Sequence, residues 1–244
     1  MFVVGIGPGG PLDRTRRAEN AIKASSTVVG YKRYLENVGD LTRGKKIVSS
    51  GMTQEADRCR EALRLALAGE TVAVVSSGDA GVYGMAGLAM ELAEEEKARV
   101  EIEVVPGVSA ANAAAAVLGA PLMLDYAVIS LSDLLVPWET IKKRLEAVAA
   151  ADLVAAIYNP KSKKRTKQIA EAAGIFLKHR PASTPVGVCT SIGYEGEEKI
   201  VFSDLGRFLK ADIGMMSIVI IGNKGSRMVG GRLVTPRGYK GKRF

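Results

Sequence analysis

The chain has 244 residues, 47% hydrophobic but only 5% aromatic, enough for one large domain or two of about 120 residues around an aliphatic, alanine-rich core. Its net charge of +8 admits nucleic acid, an anionic membrane or a polyanionic small molecule as partner. The only histidine, His179, sits at a helix end, and the two cysteines, Cys59 and Cys189, lack metal spacing, which leaves no room for a histidine triad or a zinc site.

Cys59 falls on the apolar face of a helix and Cys189 in a strand, and both read as buried, reduced thiols of a cytosolic protein. No basic segment followed by an apolar run opens the chain, so no signal peptide is expected. Phe2–Ile6 reads as a strand running into Gly5-Ile6-Gly7-Pro8-Gly9-Gly10, a formal match to the dinucleotide fingerprint. That fingerprint requires an acid after the second strand. Here Thr27–Gly30 is followed by Tyr31 and Lys32, so the nucleotide context fails and a backbone-exposing turn remains. Helical spacing covers Leu12–Ser25 and Tyr31–Val38, and Lys46–Ser49 is a strand. Thr53–Ala68 is an amphipathic helix, with Thr53 expected as its cap and Gly69 as its stop.

The chain is organised around Val74–Met85. The β-branched run Thr71–Val75 enters a turn, Ser76–Val82, and Gly84–Lys97 carries helical spacing. Such turns lie at the carboxyl ends of strands, where open α/β sheets bind ligands. Asp79 has two open readings, a helix cap shared with Ser77 or a ligand contact. Val100–Val105 is a strand, expected at an edge because Glu101 and Glu103 share a face. Pro106–Ala110 is a third glycine-containing turn and opens a helix of small residues, Ala110–Leu118. The uncharged run Val104–Leu124 is long enough to span a bilayer, but Pro106, Gly107, Asn112, Gly119 and Pro121 favour a buried loop-helix-loop. Alternating strands and helices argue for a mainly parallel sheet.

Gly119-Ala120-Pro121 is expected as a hinge, giving domains at 1–119 and 120–244. Tyr126–Ile129 leads to Ser130-Leu131-Ser132-Asp133. A helix over Pro137–Ala149 carries Trp138 in its first turn. The strand Leu153–Ile157 stops at Tyr158-Asn159-Pro160. Lys161, Lys163, Lys164, Arg165 and Lys167 are expected to begin the next helix, where they would oppose its dipole. Solvated surface and an anionic partner both remain open for them. Val186–Thr190 and Lys199–Phe202 would pair back on each other, Ile213–Ile221 is a buried strand, and the tail Gly230–Phe244 is basic and glycine-rich.

Gly5-Ile6-Gly7-Pro8-Gly9, Ser77-Gly78-Asp79, Pro106-Gly107-Val108-Ser109-Ala110, Tyr158-Asn159-Pro160 and Ile220-Ile221-Gly222-Asn223 together resemble the tetrapyrrole methylases. These S-adenosylmethionine-dependent enzymes act on uroporphyrinogen-derived rings. Val28–Lys32, Ser49–Glu55, Ser130–Leu135 and Val234–Tyr239 are similar to the branch that methylates carbon 17 of precorrin-3B or cobalt-factor III. Leu124, where that pattern has a histidine, a missing arginine after Cys189-Thr190, and Gly10–Arg17 depart from it.

The resemblance implies two α/β domains with the cofactor in the cleft between them, and a homodimer in the cytoplasm. It implies S-adenosylmethionine contacts at Pro8, Gly78, Asp79, Val82, Tyr83, Ser109, Ala110, Tyr158, Asn159, Met216 and Ser217. Asp79 would lie near the ribose or the methionine amino group, and Ser109-Ala110 near the adenosine. The branch reaction also contracts the ring. Ser130, Ser132 and Asp133 are candidates to assist that step, and a helix cap before Pro137 is their other reading. Lys161, Lys163, Lys164 and Arg165 are candidates to pair with carboxylates of an anionic tetrapyrrole. No metal ligand set, nucleic acid or membrane is expected. A sister methylase acting on protein or ribosomal RNA remains the alternative.

Overall fold

The structure is a computed structural model and describes residues 1–51 and 53–239. Met52, within the Ser49–Glu55 motif, and the last residues of the basic tail lie outside the described residues. The chain divides into two units. The first is Met1–Ala110 with Gly193–Glu195, and the second is Ala111–Ile192 with the chain from Gly196 onward.

The first unit is built on five parallel strands, β1 (Phe2–Gly5), β2 (Thr27–Tyr31), β3 (Lys46–Ser50), β4 (Val72–Ser76) and β5 (Glu103–Val105), in the order β3-β2-β4-β1-β5. The helices are α1 (Arg16–Ala24), α2 (Lys32–Glu36), α3 (Glu55–Leu67) and α4 (Ala86–Glu95). Alternate residues of each strand face opposite layers. Val3, Val29, Val72 and Val74 pack with Cys59, Leu63, Ala89 and Leu92 of α3 and α4. Val4, Val28, Ala73 and Val75 pack with Ala18, Ile22 and Leu35 of α1 and α2. A sheet covered on both faces has strands that are apolar throughout, as β4 is. Each fully buried side chain of this kind contributes about 1.5–3 kcal/mol.

The second unit begins along α5 (Ala110–Leu118) and holds a mixed five-stranded sheet. Its strands are β7 (Tyr126–Ser130), β8 (Val154–Tyr158), β9 (Pro185–Thr190), β10 (Lys199–Asp204) and β11 (Ser217–Ile221), ordered β10-β9-β11-β8-β7. Only β7 and β8 run parallel; the other pairings are antiparallel. Helices α6 (Trp138–Ala150) and α7 (Gln168–Leu177) bury Ile141, Leu145, Ile169 and Phe176 against it. Leu118 of α5 meets β9 at Gly187, where a Cβ would stand 2.4 Å from its Cδ1. Residues 119–120, the expected hinge, form a short strand, β6 (Gly119–Ala120). It pairs with β13 (Arg232–Val234), which also pairs with β12 (Arg227–Val229). The start of the glycine-rich tail is therefore ordered sheet. No helix among the described residues is long and apolar enough to cross a membrane.

Several local expectations need correction. The helix expected over Leu12–Ser25 starts at Arg16, where the Thr15 hydroxyl accepts from Ala18 N at 3.1 Å, and Pro11–Asp13 is a separate 3-10 turn. Thr53 is not the cap of α3. Gln54 holds that position without a side-chain cap bond, and Thr53 has φ +65°. Gly69 does end α3, at φ +89°, with Gly69 N donating to Ala66 O and Glu70 N to Leu65 O. The strand expected from Val100 is shortened to β5 and lies at the sheet edge. Lys161–Lys167 do not begin a helix: Ser162 N donates to Arg165 O at 2.9 Å, closing a turn, and α7 starts at Gln168. Crowded cations and the dipole both disfavour a helical first turn there.

The three residues that the later chain contributes to the first unit are held closely. The Tyr194 hydroxyl accepts from Asn37 Nδ2 at 2.8 Å, and the Arg33 guanidinium lies 4.4 Å from the Tyr194 ring centroid. A Cβ on Gly193 would stand 3.1 Å from Gly10 N. Burial first, then the neighbouring Tyr194, pushes the Tyr34 hydroxyl above its ordinary pKa.

Candidate active site

In the first unit, the carboxyl ends of β1, β4 and β5 meet backbone to backbone. Gly7 N donates to Gly78 O at 3.1 Å and Gly78 N to Gly7 O at 2.7 Å. A Cβ on Gly107 would fall 2.1 Å from Gly78 O and 2.7 Å from the Gly5 carbonyl carbon. The three glycine turns of the sequence are thus one structure, and Gly5 and Gly107 are explained by this contact alone. Gly78 differs. Its φ is +65°, a conformation that favours glycine, and a Cβ there would make only ordinary van der Waals contacts, the nearest to Ala110 N at 3.7 Å.

Asp79 ties the turns together. Its Oδ1 accepts from Gly81 N at 2.8 Å and its Oδ2 from Gly107 N at 3.0 Å. It does not cap α4, whose N-cap is Met85 without a side-chain bond; neither does Ser77. Between Asp79 and α4 the chain exposes Val82 and Tyr83, and Tyr83 holds φ +53°. A left-handed tyrosine is strained backbone, of the kind that gathers at functional loops. Pro8 is buried in the facing turn, and Ser109 and Ala110 are half-buried beyond Gly107.

In the second unit, one end of the sheet carries other expected residues. Ser130 and Tyr158 are register partners at the ends of β7 and β8, and β11 begins at Ser217, beside Met216. The Tyr158 hydroxyl accepts from Ala111 N at 2.9 Å, an otherwise free N–H of the first turn of α5. Asn159 holds φ +48° and donates from Nδ2 to Ser130 Oγ at 2.9 Å. Ser130 Oγ also accepts from Ser132 N at 3.1 Å, so its own O–H points at neither partner. Ser217 Oγ accepts from Gly214 N at 2.9 Å and shares a 2.7 Å bond with Thr190 Oγ1.

Arg165 was expected beside the lysines as a carboxylate partner. Its Nη2 donates instead to Asn159 O at 2.7 Å, and its Nε is buried without a partner. Burial lowers its pKa, while the Asp133 carboxylate opposes that shift. Lys163 and Lys164 are exposed and Lys161 half-exposed in the loop after Pro160. Asp133 is exposed and accepts from Gln168 Nε2 at 2.8 Å. The sequence did not signal that Arg165 anchors Asn159. A basic residue six positions after a strand end is consistent with many turns.

Burial pushes the Cys59 thiol up to about 11 and Cys189 to about 12. His179 pairs with Glu146 at the end of α7. Among the described residues no group of three or more His, Cys, Asp or Glu side chains is placed to hold a metal.

The model of the tetrapyrrole (corrin/porphyrin) methylases matches residues 1–208. A cobalt-factor III methyltransferase of Priestia megaterium is 49% identical over 246 residues, covering 99% of this chain; the chain spans 45% of that protein's length. A probable cobalt-factor III C(17)-methyltransferase of Salmonella typhimurium is 46% identical, with 98% of this chain and 99% of that protein covered. Among solved structures, the methyltransferase CobJ matches with TM-score 0.89 at 34% identity, over 96% of this chain and 98% of that one. A Thermus thermophilus uroporphyrin-III C-methyl transferase, solved with S-adenyl homocysteine, shares the fold at TM-score 0.69 and 22% identity, over 91% of each chain.

Proposed function

The chain belongs to the tetrapyrrole methylases, and from that premise we propose that it transfers a methyl group from S-adenosylmethionine to carbon 17 of cobalt-factor III, with ring contraction, in cobalamin biosynthesis. The observation that carries this reading is the 46% identity, over nearly the full length of both chains, to a probable cobalt-factor III C(17)-methyltransferase. Cobalt belongs to the substrate in this reading.

The residues fit the cofactor by their own geometry. Gly78, at φ +65°, leads into a loop that exposes Val82 and Tyr83. Asp79 keeps lone pairs beyond its two internal bonds, available to a ribose hydroxyl or an ammonium. Tyr158, Asn159, Met216 and Ser217 gather at one end of the second sheet. We assign cofactor contacts to these residues with Pro8, Ser109 and Ala110. When bound, S-adenosylmethionine supplies a methyl already activated by its sulfonium sulfur.

The protein's task is then orientation and exclusion of water, and alignment at near-attack distance is worth several kcal/mol. In this reading Lys161, Lys163 and Lys164 meet substrate carboxylates. Arg165 acts instead through Asn159. Ser130, whose oxygen is fixed by two donors, is the group that assists contraction; Ser132 supplies one of those donors and Asp133 is a carboxylate beside it. The enzyme acts in the cytoplasm as a homodimer, which light scattering on the purified protein tests.

The decisive experiment incubates the protein with labelled methyl donor and, separately, cobalt-factor III, precorrin-3B, ribosomal RNA and bulk protein. Mass spectrometry should find one added methyl on a contracted cobalt-factor III ring. Label only in RNA or protein would overturn the assignment. Measured with saturating methyl donor, because Ser130 Oγ also accepts from the cofactor residue Asn159, Ser130→Ala should lose contracted product about tenfold or more, within the range of a positioned proton donor or acceptor.

A further inference from the structure

The segment between β7 and α6 carries two leucines with no packing role. Leu134 is 78% exposed and Leu135 91%. They are not on a frayed loop. Asp133, just before them, is tied to Gln168 at 2.8 Å. Val136 and Trp138, just after, pack against the core of the second unit, and Trp138 Nε1 donates to Glu171 at 2.8 Å. A short loop pinned at both ends therefore presents adjacent apolar side chains to water, where they lose burial worth having.

The neighbouring loop is cationic. Ser130 and Tyr158 are register partners, so the segments leaving β7 and β8 run side by side, and the Asp133–Gln168 bond joins them. Lys161, Lys163 and Lys164 lie on that second segment, and none of them has an ion-pair partner within 4.0 Å among the described residues. An apolar pair flanked by lysines is complementary to a molecule with an apolar face and a carboxylated rim.

We propose that Leu134 and Leu135 form the platform against which the apolar face of the carboxylated macrocycle is seated, with the lysine segment meeting its rim. This rests on the methylase reading and extends it to residues that determine substrate affinity. Because both ends are anchored, the platform is pre-organised and little ordering cost attends binding.

The test is the double variant Leu134→Ser/Leu135→Ser, whose exposed sites carry no folding load. Its Michaelis constant for the ring substrate should rise about tenfold or more, as loss of partial burial of two leucines requires, with kcat within about threefold and S-adenosylhomocysteine affinity unchanged. Leu177→Ser, at a leucine 41% exposed at the far end of α7, should leave all three parameters alone. An unchanged Michaelis constant in the double variant overturns the proposal. If that result comes with a change from dimer to monomer, the leucines serve a second copy of the chain instead. Absence of ring methylation by the unaltered enzyme would instead reject the methylase reading, and is read in the same assay.

Discussion

Replacing Asp79 by alanine removes two charge-assisted hydrogen bonds at once, to Gly81 N and Gly107 N. Bonds of this type contribute about 1.5–3 kcal/mol each. The carboxylate is half-buried, so the lower figure applies to each, and Asp79→Ala should destabilise the protein by about 3 kcal/mol. Asp79→Asn keeps one accepting oxygen and should cost about half as much. Urea denaturation of the ligand-free protein measures both. The turns that Asp79 joins are also the proposed nucleoside contacts, so calorimetry should show S-adenosylhomocysteine binding weakened at least about tenfold in the alanine variant, which is about 1.4 kcal/mol. A midpoint and an affinity both equal to those of the unaltered protein would refute the claim that this carboxylate holds the site together. Equal stability with weakened binding would make Asp79 a direct ligand rather than a tie.

Gly107→Ala should cost about 4 kcal/mol or abolish soluble expression, because its Cβ would stand 2.1 Å from Gly78 O with backbone on both sides; Gly174→Ala, inside α7 with nothing within 4 Å, should gain about 1 kcal/mol in the same denaturation assay. Arg165→Lys should weaken S-adenosylhomocysteine binding about tenfold through the lost bond to Asn159 O; an unchanged calorimetric affinity would detach Asn159 from the nucleoside. The Asp40 carboxylate is held below its ordinary pKa, chiefly by its hydrogen bonds from Arg14. A depressed folded-state pKa gives stability that is complete above the unfolded value, about 3.9, and lost as pH falls through the folded one. The stability advantage over Asp40→Asn should therefore be present at pH 7 and decline as the pH falls below the unfolded value, as followed by denaturation at each pH; an advantage independent of pH would sink it.

Strands were the most legible part of the fold, because a strand buried on both faces is written as an unbroken apolar run, as in Val72–Val75 and Ile218–Ile221. Helix starts were less legible. Thr53 has the chemistry of a cap but a left-handed backbone, and Lys161–Lys167 continue no apolar period. Asp79 was singled out by its place after a strand, yet its bond to Gly107 spans a sequence separation of 28. No local pattern encodes such a pairing. The glycines at 5, 78 and 107 were visible as three turns, while their meeting depended on strand order, β4-β1-β5, which the sequence left open. Leu134 and Leu135 belong to a motif that marked the branch, and only their exposure gives them a task.

The brief return of residues 193–195 to the first unit sets a limit on how this polypeptide can be subdivided. A fragment ending at Ala110 would be stripped of Tyr194, depriving Asn37 of its oxygen acceptor and Arg33 of its aromatic stacking surface. Split-protein designs and truncations for crystallisation should therefore not cut there. Made as two pieces, the amino-terminal one would be whole only when its companion lends it a tyrosine.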